Sequence, residues 1–159
     1  MSTSFTLRNF YLIIFLLSAI SIAGALYIEY ALEKKPCILC LYQRLPYILA
    51  LVVSFVGLKN LKNIFWLNIL FLIFLSSTIL SGYHFGIENN FFNEFSGCKN
   101  DNFEILDKKD LLKSLMNKRP SCKNIDFAIF GLSLATINLI VSFIVSYTVL
   151  KILINEKNK

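Results

Sequence analysis

Four apolar stretches, each close to the length of one membrane crossing, constrain this 159-residue chain more than any other feature. Phe10–Ile28 runs for nineteen residues without a charge, and as a helix it is about 28 Å long, enough to cross the hydrocarbon core of a bilayer. Leu45–Leu58 is only fourteen residues, but counted from Leu41 it reaches eighteen, provided Arg44 lies near the surface and snorkels. Ile64–Tyr83 and Phe127–Leu150 are twenty and twenty-four residues. A segment inside a bilayer must satisfy its own backbone polar groups, and an apolar run this long does so as a helix. The expected fold is an all-α membrane protein, a four-helix transmembrane bundle. It forms one integral membrane domain over residues 1–159, with spans at about 10–28, 41–58, 64–83 and 127–150. A signal peptide is the competing reading of the first run, because Ala23-Gly24-Ala25 resembles a small-residue cleavage site. The apolar run before it is long for a signal, and only Arg8 precedes it.

Composition supports the membrane reading: 56% of residues are hydrophobic and 16% charged, with a mean hydropathy of +0.63. The net charge of +6 could suit nucleic acid, but no basic face alternates with aromatics as single-strand binding requires. The excess is read as loop charge that sets topology. Four spans put both termini on one side, together with Arg8, Lys59, Lys62, Lys151, Lys157 and Lys159 in three short segments. The opposite loops are 29–40, with Lys34 and Lys35, and 84–126, whose seven basic residues are matched by seven acidic ones. The positive-inside rule then makes the termini cytoplasmic. All four cysteines fall on the other side, which in a bacterium is the oxidising periplasm facing the inner membrane.

Cys37 and Cys40 form a Cys-x-x-Cys pair where the second span begins, directly after Pro36. A thiol at a helix start meets free backbone N–H groups and the positive end of the helix dipole, both of which favour thiolate. Arg44 lies one helical turn after Cys40, on the same face. Its permanent charge can hold a thiolate or a developing oxyanion in a low-dielectric site; the plainer alternative is an interfacial anchor. Cys98 and Cys122 lie in the long loop, with Gly97 marking a tight turn. Between them, Ile105–Lys118 has the apolar spacing of a short amphipathic helix lying on the membrane surface. These two could form a structural staple, or they could exchange with Cys37 and Cys40 as a relay. His84 closes the third span, where it serves either the interface or the site.

Cys37-Ile-Leu-Cys40 with Tyr42-Gln43-Arg44, the Gly82-Tyr83-His84 end of the third span, the Cys98…Cys122 loop and Gly131-Leu132-Ser133-Leu134 together resemble the DsbB family. Its members are membrane proteins that reoxidise a periplasmic thioredoxin-fold partner, DsbA, using quinone. The resemblance extends over all four spans and both exoplasmic loops. It implies that Cys98 forms a mixed disulfide with the reduced partner and that Cys122 then exchanges with a Cys37–Cys40 disulfide. Attack on Cys37 would free Cys40 as a thiolate beside ubiquinone (or menaquinone), with Arg44 polarising the quinone and His84 lining the same site. The sequence departs from the family around the start of the last span, where Phe127, Ala135 and Ile137 stand in place of tryptophans and a proline. The sole tryptophan, Trp66, is at the far end of the third span.

Two other classes compete. A vitamin K epoxide reductase-like enzyme is also four-helical with paired cysteines, but there the Cys-x-x-Cys comes late in the chain, whereas here it opens the second span. A Cys₄ metal site or a disulfide-stapled membrane protein would use the same four residues. Zinc favours two closely spaced pairs, and Cys98 and Cys122 are separated by twenty-three intervening residues in the loop. The expected site contains no metal.

Overall fold

The computed structural model describes residues 2–61, 63–93, 120–123, 128–129 and 131–157. The amphipathic helix expected over Ile105–Lys118 and the position of Cys98 lie outside them. Among the described residues are four long helices: α1 (Ser2–Tyr30), α2 (Ile38–Lys59), α3 (Phe65–Glu88) and α4 (Leu134–Lys157). Each has a stretch long and apolar enough to cross a membrane, and together they make a four-helix membrane bundle.

The helices outrun the apolar runs at several ends. α1 begins at Ser2, and α3 continues through His84 to Glu88. The last helix starts at Leu134 rather than near Phe127, because a short hairpin precedes it. There β1 (Ala128–Ile129) pairs antiparallel with β2 (Leu132–Ser133), and Gly131 takes a φ of +79° that only glycine adopts without strain. At its other end α4 passes Lys151 and reaches Lys157. The Lys151 ammonium lies 4.9 Å from the Tyr147 ring centroid and does not end its helix, whereas Lys59, 4.6 Å from the Phe55 centroid, is the last residue of α2. Pro46 lies inside α2, where it removes one hydrogen-bonded rung.

The core joins Tyr11 and Ile14 of α1, Tyr47, Ala50 and Val53 of α2, Leu70 and Phe74 of α3, and Val145 and Val149 of α4. Tyr47 meets Phe74 edge to face, with centroids 6.0 Å apart. Lipid solvates leucine as well as a protein core does, so association rests on close packing and interhelical hydrogen bonds. Gly57 lets α2 approach the Tyr11 ring so closely that an added Cβ would sit 2.4 Å from a ring carbon. On α3, Ser77 and Ser81 are buried, and Ser77 shares a 2.9 Å hydrogen bond with Ser142 of α4. Ser76 turns outward and bonds to its own helix at the Ile73 carbonyl. Ile20 and Ile79 are 70% and 67% exposed, as lipid-facing positions should be.

The helices pack in the order α1 on α2, α2 on α3, and α3 on α4, the last being the most extensive contact. α1 and α4 have little contact with each other. The bundle is therefore open along one seam, and the candidate site lies in it.

Candidate functional site

The site begins at the start of α2. Cys37 is the N-cap residue, with φ −66° and ψ 167°, and its sulfur accepts a hydrogen bond of 3.2 Å from the backbone N–H of Cys40. This is the job an N-cap serine oxygen normally performs, here done by a thiol. Pro36, just before the cap, holds the entering chain extended and donates no hydrogen bond of its own. The Cys37 and Cys40 sulfurs are 2.8 Å apart and share a hydrogen bond, and both residues are free thiols. The hydrogen bond with Cys40 is the largest cause holding the Cys37 thiol at about 5, well below its ordinary value; burial opposes it, and His84 and the Cys40 backbone N–H add to it.

α3 contributes His84, which is only 2% exposed. Its Nε2 lies 3.7 Å from the Cys37 sulfur and 3.8 Å from Glu88 Oε1, one turn along the same helix. Its Nδ1 lies 3.0 Å from Gln43 Nε2. Glu88 also accepts a 2.5 Å hydrogen bond from the Ser133 hydroxyl, which ties the hairpin to the end of α3. Arg44 turns toward α1: its Nη1 pairs with the Glu29 carboxylate, and its Nη2 donates to the Ala25 carbonyl at 3.5 Å.

A cavity of about 450 Å³ occupies the seam between α1 and α4. Leu17, Ile20 and Ile28 of α1 and Ile137 and Val141 of α4 give it apolar walls. Cys37, Cys40, Gln43, Arg44, His84 and Glu88 form its polar end. Its size and its few convergent polar groups suit a small apolar ligand with a polar head. Cys122 stands behind this end: it is disulfide-bonded, 1% exposed, and packed in one cluster with Cys37, Leu39 and Ile87. Neither Cys37 nor Cys40 is its disulfide partner, since both are free.

Of the six residues singled out from the sequence, five come together: Cys37, Cys40, Arg44 and His84 line the cavity, and Cys122 abuts it. Cys98 lies outside the described residues. The Cys37, Cys40 and His84 ligand atoms are within 4.8 Å of one another, as around a metal. The two sulfurs are in direct contact, 2.8 Å apart. The spacing suits thiol exchange.

Sequence reasoning missed Glu29, Glu88, Gln43 and Asn138. Glu29 and Glu88 read as loop charges because each follows the end of an apolar run. Gln43 was part of the Cys-x-x-Cys neighbourhood without a role. Asn138 gave the clearest signal, a lone amide in the middle of an apolar run, which in a membrane calls for a buried partner.

The model of the family described as disulfide bond formation protein DsbB matches residues 7–152, which takes in all six candidate residues. The chain belongs to the DsbB family. DsbB-family membership and the four spanning helices make it a multi-pass membrane oxidoreductase of disulfide bond formation. Among curated relatives, it is 28% identical over 136 residues to "Uncharacterized protein RP370" of Rickettsia prowazekii, covering 82% of this chain and 78% of that one. It is 33% identical over 85 residues to the "SPbeta prophage-derived disulfide bond formation protein B" of Bacillus subtilis, covering 51% of this chain and 54% of that one. The DsbB assignment fits the site's geometry, a dithiol at the polar end of an apolar cavity with another, disulfide-bonded cysteine behind it.

Proposed function

We propose that this chain takes electrons from a soluble, thioredoxin-like dithiol protein of the DsbA type in the periplasm and delivers them to membrane quinone, generating disulfides de novo. The observation that supports this best is Cys122, disulfide-bonded and packed against the Cys37–Cys40 dithiol at the polar end of the apolar cavity. The cavity fits a quinone: apolar walls open toward lipid between α1 and α4, with a thiol, a guanidinium and an imidazole at one end. Cys40, Arg44 and His84 would hold its head, and a bound quinone supplies a two-electron, two-proton acceptor.

The protein's own steps are thiol exchanges. We assign Cys98 as the disulfide partner of Cys122. A thiolate of the reduced partner protein attacks Cys98, the Cys98–Cys122 bond breaks, and Cys122 leaves as a thiolate. Cys122 then attacks Cys37 of the oxidised pair, and Cys40 leaves as a thiolate at the cavity. The partner's second thiol closes the partner's own disulfide and releases Cys98. Cys98 displaces Cys37 from Cys122, restoring the loop disulfide and leaving Cys37 and Cys40 reduced. One partner dithiol has become a disulfide, and its two electrons and two protons sit on the Cys37–Cys40 pair. A Cys37 thiol held near 5 is a good leaving group for the last exchange. Arg44, restrained by Glu29, keeps a positive charge at the cavity's polar end.

The topology that serves this function places both termini in the cytoplasm and the cysteines in the periplasm of a bacterial inner membrane. The test is turnover of purified protein with a reduced thioredoxin-like partner and ubiquinone. Cys98→Ser should abolish turnover with the protein partner but leave quinone reduction by a small dithiol, because small thiols reach the Cys37–Cys40 pair directly. Equal activity with the protein partner, with and without Cys98, would refute the assignment.

A further inference from the structure

A hydrogen-bonded chain of buried and half-buried side chains runs from α4 across α2 to His84. The Tyr47 hydroxyl donates to Asn138 Oδ1 at 2.6 Å, and the Ser142 hydroxyl donates to the same oxygen at 3.1 Å. Asn138 Nδ2 donates to Gln43 Oε1 at 3.1 Å, and Gln43 Nε2 lies 3.0 Å from His84 Nδ1. The polarity of this ladder follows from its far end. The Tyr47 and Ser142 hydroxyls share one acceptor, Asn138 Oδ1, which turns the amide nitrogen toward Gln43. Turning both amides over would put an N–H group where these two hydroxyls now share an acceptor. Asn138 therefore offers oxygen to Tyr47 and nitrogen to Gln43, and Gln43 in turn offers nitrogen to His84.

The other ring nitrogen faces only acceptors. His84 Nε2 is 3.7 Å from the Cys37 sulfur and 3.8 Å from Glu88 Oε1. We propose that the Tyr47–Asn138–Gln43 ladder keeps His84 neutral, with its single ring hydrogen on Nε2 aimed at Cys37, and that Gln43 and Asn138 are positioning residues for this histidine. Without the ladder, a thiolate and a carboxylate at Nε2 would draw a second proton onto Nδ1. With the Gln43 N–H pointing at Nδ1, that proton has no place. His84 then acts toward Cys37 as a hydrogen-bond donor and does not store a proton. The charged or titratable groups around it are Cys37 and Cys40 at the start of α2, Glu88 of α3, and Arg44, Lys34 and Lys35, which line the same cavity. The consequence for thiol exchange rests on the function proposed above; the protonation pattern itself does not.

The chain has a single histidine, so the ring can be read without assignment ambiguity. The test is ¹⁵N NMR of full-length protein labelled at histidine, reduced at Cys37 and Cys40, in detergent at pH 7, without quinone or partner. Wild type should show a protonated Nε2 and a bare Nδ1. Gln43→Glu, of nearly the same shape, offers Nδ1 only acceptors and should move the Nδ1 signal to the protonated position with both nitrogens carrying hydrogen. Asn138→Leu frees the Gln43 amide to turn, and a Nδ1-protonated population should appear. A wild-type ring with hydrogen on Nδ1 would overturn the proposal, as would a wild-type pattern retained in both variants. Because neither quinone nor partner is present, a failure of the quinone function would leave these signals untouched and show only in turnover.

Discussion

Cys37 should behave as an acid four orders of magnitude stronger than an ordinary thiol, and its pH profile tests the local geometry in detail. Its ordinary value of 9.0 falls to about 5. At pH 7 the thiolate fraction is then about 99%, against about 1% for an unperturbed thiol of that value. The measurement is alkylation of reduced, detergent-solubilised protein by iodoacetamide from pH 4 to 9, with Cys37 and Cys40 resolved by peptide mass. Burial slows the absolute rate, because Cys37 is 6% exposed, but the titration midpoint reports the thiolate. The midpoint should lie near 5. Cys40→Ala removes the largest cause and should raise it most. His84→Ala removes a charge-stabilising hydrogen bond of about 1.5–3 kcal/mol and should raise the midpoint by about one to two units. The sign carries over to stability. A thiol with a depressed folded value binds fewer protons folded than unfolded, so its contribution is full above the unfolded value and is lost as pH falls through about 5. Reduced protein should therefore gain stability as pH rises from about 5 toward 9. A wild-type midpoint near 9, or a larger shift in His84→Ala than in Cys40→Ala, would refute this account of the cap.

Other perturbations probe the surrounding frame. Glu29→Gln leaves the half-buried Arg44 charge without its partner; a loss of about 1–2 kcal/mol by thermal unfolding in detergent is expected, below the 3–5 kcal/mol of a fully buried pair. In the proposed reaction Arg44→Ala raises the quinone KM, and an unchanged KM would reduce Arg44 to a structural anchor. Gly57→Leu forces atoms into the Tyr11 ring and should cost about 1–3 kcal/mol or more through the α1–α2 contact, whereas Gly24→Leu, with open space around it, should cost far less. Ser54→Ala removes a buried hydroxyl that has no partner among the described residues and should be neutral or slightly stabilising.

The bundle itself was legible because four apolar runs of near-membrane length permit few alternatives, and the Cys-x-x-Cys pair was legible because its spacing brings both thiols to one helix start. Helix ends were less so. Hydropathy stops at the first charge, while a helix continues as long as Lys151 or Glu88 finds an aromatic, a hydroxyl or an interface to rest on. The hairpin before α4 depends on the positive φ at Gly131, and an apolar run alone does not disclose it. Within the site, His84 and the cysteines could be named from their types, but the partners of Arg44 and His84 could not. Glu29 is fifteen residues from Arg44 and on another helix, and Asn138 is ninety-five residues from Gln43. Such pairs are products of helix packing, and no local pattern announces them.

The central claim is that electrons pass from Cys122 to Cys37 and leave Cys40 facing the cavity. It is tested most directly by mapping the disulfide of the Cys40→Ser, Cys98→Ser double variant after mild oxidation, using protease digestion and mass spectrometry under non-reducing conditions. Cys122 is packed in the same buried cluster as Cys37, so the account predicts a single intramolecular Cys37–Cys122 disulfide formed in high yield. Recovery of Cys37 and Cys122 as free thiols, or only as intermolecular dimers, would contradict it.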